Sequence, residues 1–366
     1  MKPYTNFCEV LEGKAWDQFC DAMKQDFVVR GALMPDAHAG YSLPIGAVVA
    51  TDSFVVPAWV GYDIGCGMCA LRTRHDANDV REHAQDIFGQ IYRSVPVGFD
   101  HNEKDVDWAQ QPFPIYTSML KNLFENGGRK QLATLGGGNH FIEIGVDEED
   151  QVWVVIHSGS RNIGHKTATH YMKLASGDGK AREGHFGFHS DSDLGIQYYA
   201  DMSFCLEFAL ENRRQILGRV LNVLDHFAGH SDAWAGELIN RNHNHIDRRD
   251  GLWVHRKGAT HAEKGMMGII PGNMRDGSFI VEGKGNPDAL WSSSHGAGRT
   301  MGRKVAKETL SLEEFQETMT GIQALVKPAT LDESPMAYKD IFEVMRLQEP
   351  LVTVKAHVRP IINIKG

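Results

Sequence analysis

One histidine of this chain stands in the run Ser294-His295-Gly296-Ala297-Gly298-Arg299, among small residues and an arginine. A neutral imidazole is available near pH 7 and can attack a nucleotide phosphate, displacing pyrophosphate and leaving a phosphoramidate. Gly296 and Gly298 permit close backbone approach to phosphate, and Arg299 can stabilise charge on its oxygens. On residue type alone, His295 serves equally well as a metal ligand. No GxxxxGK[ST] run exists, and Gly136-Gly137-Gly138-Asn139-His140 lacks the spacing of a dinucleotide fingerprint.

Three further segments carry ligand-type side chains. Asp63 and Cys66 are flanked by Gly61, Gly65 and Gly67, so a turn following a strand can direct both inward, and a thiolate can bridge two metal ions. His140 and His157 bracket an expected hairpin: strand Phe141 to Val146, polar turn Asp147 to Asp150, returning strand Val152 to Ile156. If unbulged, it sets the two histidines directly opposite, with Cβ atoms roughly 4.5–5.5 Å apart, a separation suited to one metal site. Asn242-His243-Asn244-His245 reads as a loop before the strand Leu252 to His255. One of its histidines suffices as a ligand, and alternation cannot choose, because His243 and His245 share a parity. Cys69 is read as core, and His226 and His230 as ordinary histidines near a helix end.

The ligands are scattered from Asp63 to His295, and no repeat or Pro/Ser-rich linker interrupts the chain, so residues 1–366 are expected to form a single domain. Gly46 to Ala50 and Phe54 to Val60 read as strands. Leu194 to about Ala228 reads as the longest helix, broken near Gly218. Ser311 is an N-cap for a helix through Thr318. Leu351 to Val358 and Ile361 to Ile364 read as closing strands. Strands and helices in irregular order predict an α+β fold, with mixed and antiparallel sheets around a central metal and nucleotide site, flanked by helices.

With 42% apolar and 23% charged residues, the chain has ordinary globular composition. Its net charge of −9 argues against a broad polycation, although Arg256-Lys257 and Arg299 through Lys304 are local basic clusters. Five irregularly spaced cysteines do not make a secreted disulfide framework. The start lacks an apolar signal stretch, and no run of 18 apolar residues occurs. A cytoplasmic protein with no membrane partner is expected.

Taken in order, Met34-Pro-Asp-Ala-His38-Ala-Gly40, Val60-Gly-Tyr-Asp63-Ile-Gly-Cys66-Gly-Met68, Leu135-Gly-Gly-Gly-Asn139-His140-Phe-Ile-Glu143, His157-Ser-Gly-Ser-Arg161, Arg256-Lys-Gly-Ala259, Ile270-Pro-Gly-Asn-Met274, Ser294 to Arg299, Pro335 to Asp340 and Lys365-Gly366 resemble the RtcB family of RNA-splicing ligases over nearly the whole chain. The resemblance implies a ligase, dependent on GTP and two Mn²⁺ ions, that joins an RNA 3′-phosphate or 2′,3′-cyclic phosphate to a 5′-hydroxyl. His295 then matches the guanylylated histidine. Asp63, Cys66, His140, His157 and His243 match the metal ligands, His243 being chosen over His245 because the family has His-Asn there. For the guanylate the match carries over Asn139, His140, Phe141, Ile142, Glu143, His243, Asn244, Pro271, Gly272, Asn273, Met274, Ser278, His295, Gly296, Ala297, Gly298 and Lys365. Glu143 offers an acceptor for guanine N–H groups and Lys365 a donor near the guanine carbonyl.

Cysteine and histidine ligands alone favour Zn²⁺, so manganese rests on the resemblance. This chain has Asn273 where serine is common in the family, and Asp100 to Phe113 replaces a longer segment. Compact bacterial relatives are often associated with a release-factor-like protein, which makes ribosomal RNA repair an alternative to tRNA splicing. Two other readings use the same residues: a dinuclear metallophosphoesterase that activates water, and a noncatalytic RNA-binding or metal-binding protein.

Overall fold

The computed structural model describes residues 1–366 apart from 110, 113 and 230–235, so His230 and Phe113 lie outside the described residues. Two sheets dominate an α+β fold. The first runs in the order Tyr4–Asn6, Val28–His38, Ile45–Thr51, Leu252–Lys257, Asn244–Arg249. The second runs Met267–Pro271, Ser278–Gly283, Val352–Lys365, Phe141–Val146, Val152–Ser158, Gly67–Arg72, Ile239–Asn242, and Gln323–Ala324 pairs alongside Val352–Lys365. Its neighbours along this path are antiparallel. Its outermost strands come together, with Arg241 Nε donating to Met267 O at 3.2 Å, so the sheet nearly closes into a barrel.

The second sheet buries one face against the helix Asp193–Phe227. Ile142, Ile144, Val154 and Ile156 pack in one core with Ile216, Val220 and Leu224. A one-residue slip of either central strand would turn these side chains away from the helix, which is what fixes the register. The helix begins at Ser192, whose Oγ accepts from Gly195 N at 3.1 Å, and it runs 35 residues without the break expected at Gly218. A glycine costs only about 1 kcal/mol in a helix interior, and the buried flanks Leu217 and Val220 hold the run together. Ser311 caps Leu312–Thr318 as expected, accepting from Glu314 N at 3.3 Å.

Three local expectations are corrected. Phe54 to Val60 is a strand only over Phe54–Val55, because Pro57 opens a short helix, Pro57–Val60, in which its missing N–H costs nothing. The two closing strands are one, Val352–Lys365, with a register shift between Pro360 and Ile362 absorbing the proline. The hairpin register differs by one: His157 lies opposite Phe141, not His140. The cause is a five-residue connection in which Asp147 Oδ1 accepts from both Glu149 N and Gln151 N, at 3.0 Å each, while Asp150 takes φ +59°. Among the described residues no helix is long and apolar enough to cross a membrane.

Candidate active site

Four segments converge where the two sheets meet. Cys66 Sγ lies 3.3 Å from His140 Nε2 and 3.2 Å from His157 Nε2. His140 Nε2 is 3.1 Å from Asp63 Oδ2, and His157 Nε2 is 3.4 Å from His243 Nε2. Despite the shifted register, the rings of His140 and His157 are 5.2 Å apart, because His140 precedes its strand and is free to turn toward the cage. His243 is the single residue between the strands Ile239–Asn242 and Asn244–Arg249, which belong to different sheets, rather than part of a loop. That position swings it into the cage.

The Asp63–Cys66 turn is anchored from below. Gly65 takes φ +75° and lies against the long helix, where a Cβ would meet Ala209 Cβ at 3.0 Å. Gly159 leaves room for Asp63, since a Cβ there would be 2.3 Å from Asp63 Oδ1. Arg213, fully buried on the same helix, donates to Gly65 O (3.0 Å), Ser158 O (2.8 Å), Asn240 Oδ1 (2.7 Å) and Asn242 Oδ1 (2.7 Å). It thereby ties the segments bearing Cys66, His157 and His243 to one side chain. Arg213→Met is expected to destabilise the fold, because it leaves four acceptors without their donor, at about 1–3 kcal/mol for each that is buried, and denaturant unfolding measures it.

Two of the donors are already in metal-binding form. Burial pushes the pKa values of His157 and His243 well below the usual imidazole value, leaving them neutral. Because the carbonyl of Asn139 can only accept, His157 Nδ1–H donates to it at 3.1 Å and its Nε2 lone pair faces the cage. Burial, then Asp63, pushes the Cys66 thiol up; a thiol so placed ionises once a cation is present. His140 Nδ1 is buried without a protein partner. One thiol, three imidazoles and a carboxylate suit a borderline divalent cation, and they outnumber the ligands of one tetrahedral ion.

His245, the alternative to His243, points elsewhere. It forms a second group of ligand type with Asp247 and His261, but the buried Arg256 guanidinium sits among these atoms, donating to His245 Nε2 (3.2 Å) and to Asp247 Oδ2. An arginine already supplies the positive charge there. Cys69 is core, its pKa pushed up to about 12 by burial, and His226 packs on Phe227 at the helix end.

His295 stands beside the cage, its ring 4.8 Å from that of His243. Its Nδ1 is 2.7 Å from Asp36 Oδ2, which also accepts from His295 N at 3.2 Å. Burial opposes charge on Asp36, yet His295, His38 and Ser294 together hold the pKa below the ordinary carboxylate value. The carboxylate can only accept, so Nδ1 carries a proton, and in the neutral tautomer Nε2 presents the lone pair. The strand Val28–His38 delivers this carboxylate, and its His38 donates from Nδ1 to Asp36 O at 2.9 Å.

A cavity opens over His295. Of the expected nucleotide residues, Asn139, Phe141, Pro271, Gly272, Asn273, Met274, Gly296, Ala297, Gly298 and Lys365 line it. Glu143 lies deeper, opposite Asn363 in the sheet. Asn363 Nδ2 donates to Glu143 Oε2 at 3.4 Å, while Glu143 Oε1, Asn363 Oδ1 and Ser278 Oγ are buried without partners. Three orphaned polar atoms together require a polar occupant. Ile142 instead turns its side chain into the core. Asn244 braces the site, donating to Asp63 O (3.1 Å) and accepting from Gly258 N (2.8 Å). Lys365 is held by Glu333 at 2.8 Å and lies over the Phe141 ring. Arg299 spends its donors on Met301 O, Asp332 O and the Tyr338 hydroxyl, which makes it a brace of the cavity wall rather than a free phosphate ligand.

Reading residue types alone assigned no role to Asp36, Asn363 or Glu333. The available signal for Asp36 was a carboxylate following the apolar run Ala32 to Pro35 inside a buried stretch of strand.

The site is thus a donor cage beside a carboxylate-oriented histidine, with a polar-floored cavity above it. The family profile described as tRNA-splicing ligase RtcB matches residues 18–125 and 117–366. The chain is 35% identical to the RNA-splicing ligase RtcB of Escherichia coli K12, across 97% of this chain and 95% of that protein. It is 30% identical to the tRNA-splicing ligases RtcB of Pyrobaculum aerophilum and Nanoarchaeum equitans, across 91% and 94% of this chain and 87% and 90% of those proteins. The chain belongs to the RtcB family of RNA-splicing ligases.

Proposed function

We propose that this protein is a GTP- and Mn²⁺-dependent RNA ligase that joins a 3′-phosphate, or a 2′,3′-cyclic phosphate after its hydrolysis, to a 5′-hydroxyl through guanylylated His295. The observation that carries the reading is the Asp36–His295 pair set against the five-donor cage. A hydrolase that activates water on metals would use this imidazole only to move a proton and would carry no GMP on it.

His295 Nε2 attacks the α-phosphorus of GTP; a P–N bond forms and the bond to pyrophosphate breaks. A 3′-phosphate oxygen of RNA then takes the GMP, breaking P–N. The 5′-hydroxyl of the other end attacks the 3′-phosphorus, loses its proton and displaces GMP. Asp63, Cys66, His140, His157 and His243 would hold the metal ions, which supply charge neutralisation for the phosphates. Asp36 stabilises the positive charge on the phosphorylated imidazole. Gly296 to Gly298 let backbone approach the phosphates, and repair or splicing of RNA is the process served. The direct test is ligation of RNA bearing 3′-phosphate and 5′-hydroxyl ends, with GTP and Mn²⁺; failure to join them, in a preparation that holds its metals, refutes the reading.

Base choice follows from the cavity floor. Burial raises the Glu143 pKa to about 8, so the empty pocket holds a neutral carboxyl at pH 7. Guanine N1–H and its 2-amino group donate best to an ionised acceptor, so binding releases a proton. GTP affinity is expected to rise with pH by up to about tenfold per unit below pH 8 and to level off above it. Glu143→Gln should lose both this component and much of the preference for GTP over ATP. Calorimetric titration of both proteins across this range reads the difference, and parallel pH profiles would remove the assignment.

A further inference from the structure

The chemistry assigned so far leaves a row of aromatic rings at the mouth of the site unused. His38 and Ile45 line the nucleotide cavity, and the loop between them carries Tyr41, 63% exposed. Its ring meets Tyr62 edge-on at 6.5 Å, and Tyr62 stacks on the exposed His165 at 5.0 Å and 21°. Tyr62 directly precedes the cage residue Asp63 in the chain. His165 lies one turn beyond Arg161 on the helix Arg161–Ser176, and the Arg161 guanidinium lies near Asp63 and Cys66. The row therefore starts at the cage and leads outward.

Its surroundings are mixed in charge. The Lys257 ammonium is 5.8 Å from the Tyr41 ring and Lys166 is exposed beside His165, while Glu183 lies near Tyr62 and Lys257. What sets Tyr41 apart is not its exposure but its place in a continuous row with Tyr62 and His165 beside the cage-bearing turn. A chain of net charge −9 cannot hold a polyanion by overall attraction, which gives contacts to bases a larger share of the work. Every base has a π-face, so stacking serves RNA ends of any sequence.

We propose that Tyr41, Tyr62 and His165 form a stacking platform for the unpaired bases of an RNA end as it enters the cage. The platform rests on the RNA-ligase reading and goes beyond it in naming the groups that position the nucleic acid.

The test uses the full-length protein and short single-stranded RNA with 3′-phosphate and 5′-hydroxyl ends. Tyr41→Ala and His165→Ala are expected to take up GMP without RNA at the wild-type rate. They should bind fluorescent RNA, and show a KM for ligation, weaker by roughly 5- to 100-fold for a lost base stack. Tyr41→Phe or Tyr41→Trp should restore both. RNA lacking its terminal bases should bind wild type as poorly as intact RNA binds Tyr41→Ala, and should lose nothing further in that variant. Unchanged RNA affinity in both alanine variants, or equal losses on intact and abasic RNA, overturns the platform. If the wild type takes no GMP, the ligase reading fails instead, and the anisotropy measurements still judge the platform, because binding requires no turnover.

Discussion

Replacing His295 with alanine is expected to abolish covalent GMP attachment completely. Wild-type protein incubated with α-labelled GTP and Mn²⁺ should retain label through denaturing electrophoresis, and that label should be released by mild acid and survive alkali, as a P–N bond requires. Among the described residues the neighbouring nucleophiles are already engaged, the Lys365 amine with Glu333 at 2.8 Å. His243, the nearest imidazole, is turned toward His157 Nε2 at 3.4 Å, inside the donor cage. The thiol of Cys66 is likewise engaged with His140 and His157. The His295 side chain is 14% exposed and meets the cage through ring contact with His243, so metal stoichiometry should be unchanged and serves as the control for folding. Label retained by the variant would remove the nucleophile. Phosphate released from 3′-phosphorylated RNA by wild type, with no label taken up, would favour the metallophosphoesterase instead.

The parts of this site that were legible in the sequence are those whose local surroundings reveal their use. Asp63 and Cys66 sit among glycines that make a turn, and His295 stands in a short run that no helix or strand core would choose. The residues that escaped a reading by type are defined by partners far away in the chain. Asp36 acquires its role from a residue 259 positions distant, and Glu333 from Lys365 and Arg303. Composition and periodicity carry no record of such pairings.

The hairpin shows a subtler limit. A direct His140–His157 pairing followed from symmetry about an even turn, but one aspartate accepting two backbone N–H groups makes the connection odd and moves the register by one. The histidines still meet, because His140 lies just outside its strand and is not bound to the alternation within it. In the same way, parity could not separate His243 from His245. The two sheets do: the chain crosses from one to the other at His243, while His245 already belongs to the second strand and faces Arg256.

Asp36→Asn is expected to slow guanylylation by on the order of 10³- to 10⁴-fold, the scale on which an enzyme suffers when a histidine loses its orienting carboxylate. The asparagine can sit in two ways. With its oxygen toward His295, it accepts from Nδ1–H but carries no charge to stabilise the phosphorylated imidazole, and its amide faces the place of Asp36 Oδ1, which has no partner in the protein. With its amide toward His295, the ring must present a lone pair at Nδ1, and the proton moves to Nε2, where it blocks attack. Either arrangement leaves GTP binding and the cage intact, because Asp36 touches neither the polar floor at Glu143 nor the donors around Cys66. The variant should therefore bind GTP and metal as wild type does while its single-turnover rate of label formation collapses. Asp36→Ala should fall further, since the ring then loses its tether as well as the charge. A labelling rate equal to wild type in both variants would reduce the contact to a structural one and leave the activation of His295 to groups outside this pair.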